Sequence, residues 1–187
     1  MPPKEKVSRA RVRDVAFEMT RESGFDAVTA RKLAERIGCS TQPIFRAYEN
    51  MEELKKDLFF MSAEFFSDYM LKKRSRTQPA YITMGMAYIE LAVRETNLFK
   101  LIASIEDYGA QTLQDYAASE EAKALLDKFP NAEHFSTLEK EELFVLVSTF
   151  THGLATMIAS GHLRIPDKDI KSLLGIAYDS FVSGIGQ

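Results

Sequence analysis

Cysteine occurs once in the 187 residues, at Cys39. A single thiol excludes an intrachain disulfide framework and points to a reducing compartment, so a cytoplasmic location is expected. Glycine and proline are scarce, at nine and six residues, which removes collagen-like and low-complexity readings. Histidine occurs only at 134, 152 and 162, without HExxH or CxxC company, so no metal site and no cofactor are expected. No Gly-x-Ser-x-Gly elbow, phosphate loop or GxGxxG run is present, and the carboxylate pairs Glu120–Glu121 and Glu141–Glu142 sit in polar runs that read as solvated helix faces. An enzyme is therefore not expected. The opening MPPKEKVSRARVRD is charged throughout and has no apolar segment, so it does not read as a secretory signal. Leu143–Leu163 carries no Asp, Glu, Lys or Arg, long enough to span a bilayer. Its two histidines, two serines, three threonines and two glycines argue instead for a helix buried in the protein or in a dimer, with no membrane partner.

What is present is a soluble globular balance, 45% hydrophobic and 27% charged, with charge divided unevenly. Residues 1–48 sum to +4 and the remainder to −7, within a net charge of −3. A basic front on an acidic body suits a chain that meets a polyanion with one end only.

The spacing predicts helix throughout, because apolar residues recur at i, i+3, i+4 and no stretch alternates with period two. Val12, Val15, Ala16 and Met19 mark a first helix between Ser8, an N-cap type, and Gly24. Thr29 opens a second, with Leu33, Ala34 and Ile37 inward and Gly38 at its end. Ser40 opens a third with Ile44, Phe45 and Tyr48. Asn50 caps a long fourth carrying Leu54, Leu58, Met61, Phe65 and Tyr69, followed by a linker to Pro79. Further helices are predicted on the stripes of Tyr81–Ala92 and Leu98–Ile105, over 118–129, from Thr137 to about Gly161, and from Pro166 onward.

Two short helices joined at Gly38-Cys39-Ser40 after a longer one form the outline of a helix-turn-helix. Gly38 supplies a conformation a Cβ would strain, Ala34 is small where two helices approach, and Cys39 reads as a small buried hydrophobe. The run TARKLAERIGCSTQPIFRAYENMEEL (29–54) resembles the DNA-binding domain of the TetR family of transcriptional regulators, through Thr29, Leu33, Ala34, Gly38, Ser40, Phe45, Tyr48, Glu52 or Glu53, and Leu54. Gly24-Phe25-Asp26 matches the family's approach to the second helix. AYIELAVRETNLFKLI (87–102) and FTHGLATMIASG (150–161) look more loosely like its effector-domain helices. Two positions depart from the pattern: Ala47 stands where His is usual, and Met51 where Lys is usual, with Lys55 or Lys56 one turn on.

The resemblance implies an all-α chain with two parts, a three-helix helix-turn-helix domain at 1–55 and an effector-binding and dimerisation domain at 56–187. It implies a homodimer that binds double-stranded DNA at a palindromic operator and acts as a ligand-responsive repressor. Thr29 and Arg31 are expected at phosphate, with Lys4, Lys6 and Arg9 adding electrostatic affinity. Ser40, Thr41, Gln42, Pro43 and Arg46 are expected on or near the reading face, where Gln42 suits adenine and Arg46 guanine or phosphate. Phe45 and Tyr48 are expected at the sugar–phosphate backbone, with core packing as the alternative for Phe45, and Lys55 at the duplex edge. Pro43 falls in the first turn of the reading helix, where a missing N–H is tolerated.

For the second part, Tyr81, Met84, Tyr88, Phe99, Ile102, Phe150 and Met157 form an aromatic and methionine-rich set suited to an apolar or aromatic small-molecule effector, though such stripes also build cores. His152 could bond a ligand or simply join two helices. Leu146, Leu154, Ile158, Leu173, Leu174 and Phe181 are expected at a dimer interface made by the last two helices. The rival readings are a helical interaction module that no longer reads DNA, a helical enzyme or carrier, and an activator or ligand-independent regulator.

Overall fold

The structure is a computed structural model in which residues 7–73, 75, 77–103, 123, 125 and 134–185 are described. Eight α-helices occur among them: α1 (Arg9–Ser23), α2 (Ala30–Ile37), α3 (Gln42–Ala47), α4 (Met51–Lys72), α5 (Ala80–Arg94), α6 (Thr96–Ala103), α7 (Thr137–Ala159) and α8 (Asp167–Ile185). A 3-10 turn, Phe25–Ala27, joins α1 to α2, and no strand is found among the described residues. The all-helical class expected from the spacing is what the fold shows. The helix predicted over 118–129 lies outside the described residues except for Lys123 and Leu125.

The chain divides into two compact units. The first holds the described residues of Met1–Ala63 and of Glu95–Ile105, so α1, α2, α3, the first part of α4, and α6. The second holds the rest of α4, with α5, α7 and α8. The division of the chain into compact units does not coincide with the boundary expected after residue 55. It falls eight residues later, inside a continuous helix where no linker composition marks it, and α6 returns to the first unit.

In the first unit α1 is the central element, packing on α2, α3 and α6. Its predicted stripe is buried in full, with Val12 and Ala16 at 0% exposure. The caps follow local chemistry. Ser8 Oγ accepts the Arg11 N–H at 3.1 Å, and Thr29 Oγ1 accepts the Lys32 N–H at 3.3 Å. Gly38 sits at φ +80°, and the Cys39 N–H reaches back to the Ala34 carbonyl at 2.9 Å, which closes α2 in a Schellman turn. Asn50 Oδ1 accepts the Glu53 N–H at 2.9 Å and starts α4 as predicted. The core is completed by Leu33, Ile44, Leu54, Leu58 and Leu98, all at 0–1% exposure.

The second unit packs α5, α7 and α8 against one another. Met84, Leu125, Leu143, Phe144 and Tyr178 form its buried cluster, with Tyr81 stacked on Tyr178 at 3.8 Å. α7 begins at Thr137 as predicted, and its cap is Ser136, one residue before the predicted start signal. Ser136 and Glu139 make a reciprocal capping box, Ser136 N–H to Glu139 Oε2 at 2.7 Å and Glu139 N–H to Ser136 Oγ at 3.3 Å. α7 is long and apolar enough to cross a membrane by length and composition. Here it lies against α5 and α8, and Leu143, Phe144, Thr151, Leu154 and Ala155 are buried by them.

Candidate functional site

α3 is six residues long and is held from behind. Ile44 is 1% exposed and Tyr48, which follows the helix, is 2% exposed. Pro43 occupies the first turn, where the absent N–H has no helical partner to lose. Ser40 does not cap this helix as expected. Thr41 is the N-cap residue, in helical rather than extended conformation, and no side chain bonds the first turn. Pro43 and the left-handed Gly38 together set the geometry of the turn, so a side-chain cap is not needed to start it.

The outward face of α3 then follows from its pitch. Ser40, Thr41, Gln42, Phe45 and Arg46 are exposed, with Phe45 at 54%, while Pro43 is half-buried. An apolar ring left open beside a cation is a surface waiting for a partner rather than a packed core. At the start of α2, Thr29 and Arg31 are exposed as well. Arg31, Lys32 and Arg46 make no ion pair among the described residues, and so remain available to polyanions. Arg36 does not, because Glu22 binds it bidentately at 2.5 and 2.6 Å and its guanidinium holds that carboxyl below the usual range.

Tyr48 requires a correction. It was expected to touch the sugar–phosphate backbone, and it is buried. Its hydroxyl donates to Asp57 Oδ2 at 2.7 Å, and burial followed by that carboxylate raises its pKa. Arg9 was expected to serve as part of a DNA-attracting arm. Its guanidinium instead lies 4.1 Å from the Tyr48 ring centre and donates to Glu53, to Asp57 and to the Ala47 carbonyl at the end of α3. This knot joins α1, α3 and α4, and the residues were invisible as a set because they are 9 to 48 positions apart in sequence. Lys55 is half-buried with its Nζ 5.7 Å from the Phe25 ring centre, within cation–π reach. Lys4 and Lys6 lie outside the described residues.

A second feature lies within the second unit. A cavity of about 140 Å³ is lined by Met70, Tyr81, Met84, Gly85, Tyr88, Leu125, Phe144, Val147, Ser148, Thr151 and His152. Of the predicted effector set it brings together Tyr81, Met84 and Tyr88. Phe99 and Ile102 are corrected: α6 belongs to the first unit, where Phe99 is 4% exposed in the core. Phe150 packs edge-to-face on Phe181, with ring centres 6.3 Å apart, and Met157 is on the surface at 49% exposure, so neither lines the cavity. Ser148, Thr151 and His152 were missed as a set, although Phe144, Ser148 and His152 recur at i, i+4, i+8 on one face of the uncharged helix. Tyr88 Oη lies 2.8 Å from His152 Nδ1, and burial lowers the His152 pKa, so this imidazole favours the neutral form.

The expected interface residues divide. Leu154 and Leu174 are corrected, being 7% and 4% exposed inside their own unit. Phe181 is partly buried against the same unit's core, and Leu146 and Ile158 are half-buried. Leu173 faces outward at 38%, accompanied by Ile176 at 63%.

A short reading helix after a glycine turn, braced by α1 and offering polar and cationic side chains outward, defines a helix-turn-helix DNA-binding domain. Residues 12–58 match the sequence model of the bacterial regulatory proteins of the tetR family. Over those residues the chain thus carries a DNA-binding domain of the TetR type. Solved structures share the fold. One is a putative TetR-family transcriptional regulator from Vibrio parahaemolyticus, 20% identical with a TM-score of 0.66, covering 91% of this chain and 96% of that one. Another is a TetR-family transcription regulator from Marinobacter aquaeolei VT8, 17% identical with a TM-score of 0.65, covering 96% and 97%. A third, a protein of unknown function from Rhodococcus sp. RHA1, is 20% identical with a TM-score of 0.67 over 100% of both chains. No curated protein matches the sequence.

Proposed function

We propose that this protein is a cytoplasmic, ligand-responsive transcriptional repressor that binds a two-fold-symmetric operator as a homodimer. The observation that carries the reading is the exposed face of α3, where Gln42, Phe45 and Arg46 stand outward on a helix locked by Ile44 and Tyr48. Gln42 offers a bidentate amide for adenine and Arg46 a fork for guanine or phosphate. Thr29 and Arg31 at the start of α2 supply phosphate contacts that fix the docking register. Solved structures of like fold, described as TetR-family regulators, support the same reading.

Pairing of two copies through α7 and α8 is supported by Met157, Leu173 and Ile176, large apolar side chains left in water on the outer side of these helices. A symmetric pair would set two reading helices about 34 Å apart, one duplex turn, and a palindromic operator follows from that symmetry. The cavity supplies the ligand half. A molecule bound there must favour one conformer of α4 over another in order to act. A coupling of about 1–3 kcal/mol weakens operator affinity roughly 5–150-fold.

Selection of bound sequences from random duplex DNA tests the whole reading. A two-fold-symmetric consensus is expected. Failure to bind any duplex at low salt would sink it and leave an interaction module, a reading favoured by the neutralisation of Arg9 and Arg36 within the first unit.

A further inference from the structure

We infer that Arg9 is a positioning residue for the reading helix: from α1 it clamps the C-terminal end of α3 against α4, and so gives the protein its preference for one base sequence over another without touching the duplex. The inference rests on the DNA-binding reading above and names a residue that sets the specificity of that same face.

The need comes first. α3 has six residues, fewer than a helix requires to hold itself in water. No side chain bonds its first turn, and Ile44 is its one buried residue. Base edges are read by short, directional hydrogen bonds, which a tilted helix loses. Phosphates attract cations over a Debye length, whatever the tilt. A loosely held α3 would therefore still bind duplex DNA but would stop telling one sequence from another.

Arg9 meets that need. Its Nη1 donates at 3.1 Å to the carbonyl of Ala47, the last residue of α3. The final carbonyls of a helix have no partner within it and carry the negative end of its dipole, so a cation is favoured there. The same Nη1 donates to Glu53 at 2.7 Å, and Nε and Nη2 reach Asp57 at 3.3 and 3.2 Å, both acids lying on α4. The flat of the guanidinium lies 4.1 Å from the Tyr48 ring centre. Glu53 also takes the Glu49 N–H at 2.7 Å, so the turn from α3 into α4 is tied to the same point. Ala47 and Met51, at the two ends of that turn, have no polar side chain of their own, and the clamp comes from α1 instead. A lysine has one nitrogen and no plane, and cannot make these contacts together.

Charge excludes the simpler role of a phosphate contact. The carboxylates of Glu53 and Asp57 pair with the guanidinium at 2.7 and 3.2 Å, and a phosphate brought to the same place would meet two anions beside one cation.

The test compares two labelled duplexes on the full chain: the winner of selection from random DNA, and a scramble of it with the same length and composition. Arg9→Lys keeps the charge. It should weaken binding of the selected duplex about tenfold, the worth of one net hydrogen bond at the reading face. Binding of the scramble should stay within roughly twofold, since the attraction to phosphate is unchanged. Retained scramble binding certifies that the variant is folded. Glu53→Gln leaves Arg9 in place but loosens its anchor, and should lower the same preference about threefold, part of one hydrogen bond's worth. This second variant decides the matter should Arg9→Lys not fold. An arginine that only stabilised the domain would weaken both duplexes together and leave their ratio alone, so an unchanged ratio overturns the inference. An Arg9→Met protein whose salt slope falls by about one on both duplexes overturns it too, because that is the mark of a lost phosphate contact. A natural chain that prefers its selected duplex, with variants that prefer it equally, loses this inference alone. A natural chain that binds no duplex ends the repressor reading and this inference with it.

Discussion

The guanidinium of Arg9 lies 4.1 Å above the ring of Tyr48, whose hydroxyl donates 2.7 Å to the same Asp57 carboxylate that Arg9 binds. The arrangement fixes the far end of the reading helix, because Arg9 also donates to the Ala47 carbonyl at 3.1 Å. Tyr48→Phe should therefore lower unfolding free energy by about 1–2 kcal/mol, the cost of a buried bond to a carboxylate, read in urea titration. Duplex binding should keep its salt dependence. A reduced salt slope would mean that Tyr48 does meet the nucleic acid backbone.

Arg46 is exposed on the outward face of α3 and makes no ion pair among the described residues. Arg46→Ala should weaken operator binding by about 1–3 kcal/mol and, if the contact is to phosphate, reduce the salt slope by about one. Titration of a labelled operator at several salt concentrations measures both. Unchanged affinity removes Arg46 from the interface.

Gly38 adopts φ +80°, and a Cβ built there would meet nothing within 4 Å. The cost of Gly38→Ala is then purely conformational, about 1–2 kcal/mol for an L-residue in the left-handed region. A stability loss in that range with the fold retained by circular dichroism is expected. No loss would show that the turn relaxes.

Ile176 is 63% exposed, so Ile176→Asp should leave the isolated protomer's stability nearly unchanged. If α8 pairs with its copy, the charge is driven into an apolar seam. Light scattering should then report 21.2 kDa instead of twice that mass, with operator affinity lost in parallel. A dimer that survives the substitution places the interface elsewhere.

His152 supplies the pH dependence. Burial lowers its pKa in the folded state below the ordinary 6.5, so the unfolded chain binds more protons between those two values. Stability must therefore rise with pH through that window and fall as pH drops below about 6.5. Thermal unfolding between pH 7.5 and 5 should show a steeper decline for the natural chain than for His152→Gln. Parallel profiles would indicate a solvated imidazole.

Much of this was legible in the residues. Helix spacing located α1 through α6, and the caps at Ser8, Thr29, Gly38 and Asn50 are local chemistry that needs no tertiary information. The exposed face of α3 was legible for the same reason, since its pitch and the buried Ile44 fix what points outward. The role of Tyr48 was not, because burial depends on Arg9 and Asp57, which come from two other helices. The cavity was half legible. Tyr81, Met84 and Tyr88 lie on one stripe of α5, whereas Phe99 shares their chemistry but belongs to another unit. Leu154 and Leu174 failed similarly: an apolar helix declares that it must be covered, and only packing shows whether its own chain or a copy does so.

Gly85 lines the cavity, and its bare α-carbon leaves room for Leu174, whose Cδ1 lies 2.9 Å from where a methyl would stand. The backbone at Gly85 therefore lies between the cavity and Leu174 of α8. Leu173, next along that helix, looks out to water. A methyl at position 85 would have to turn the end of the Leu174 side chain aside. A single absent carbon thus gives the interior a lever on the surface where two subunits would meet.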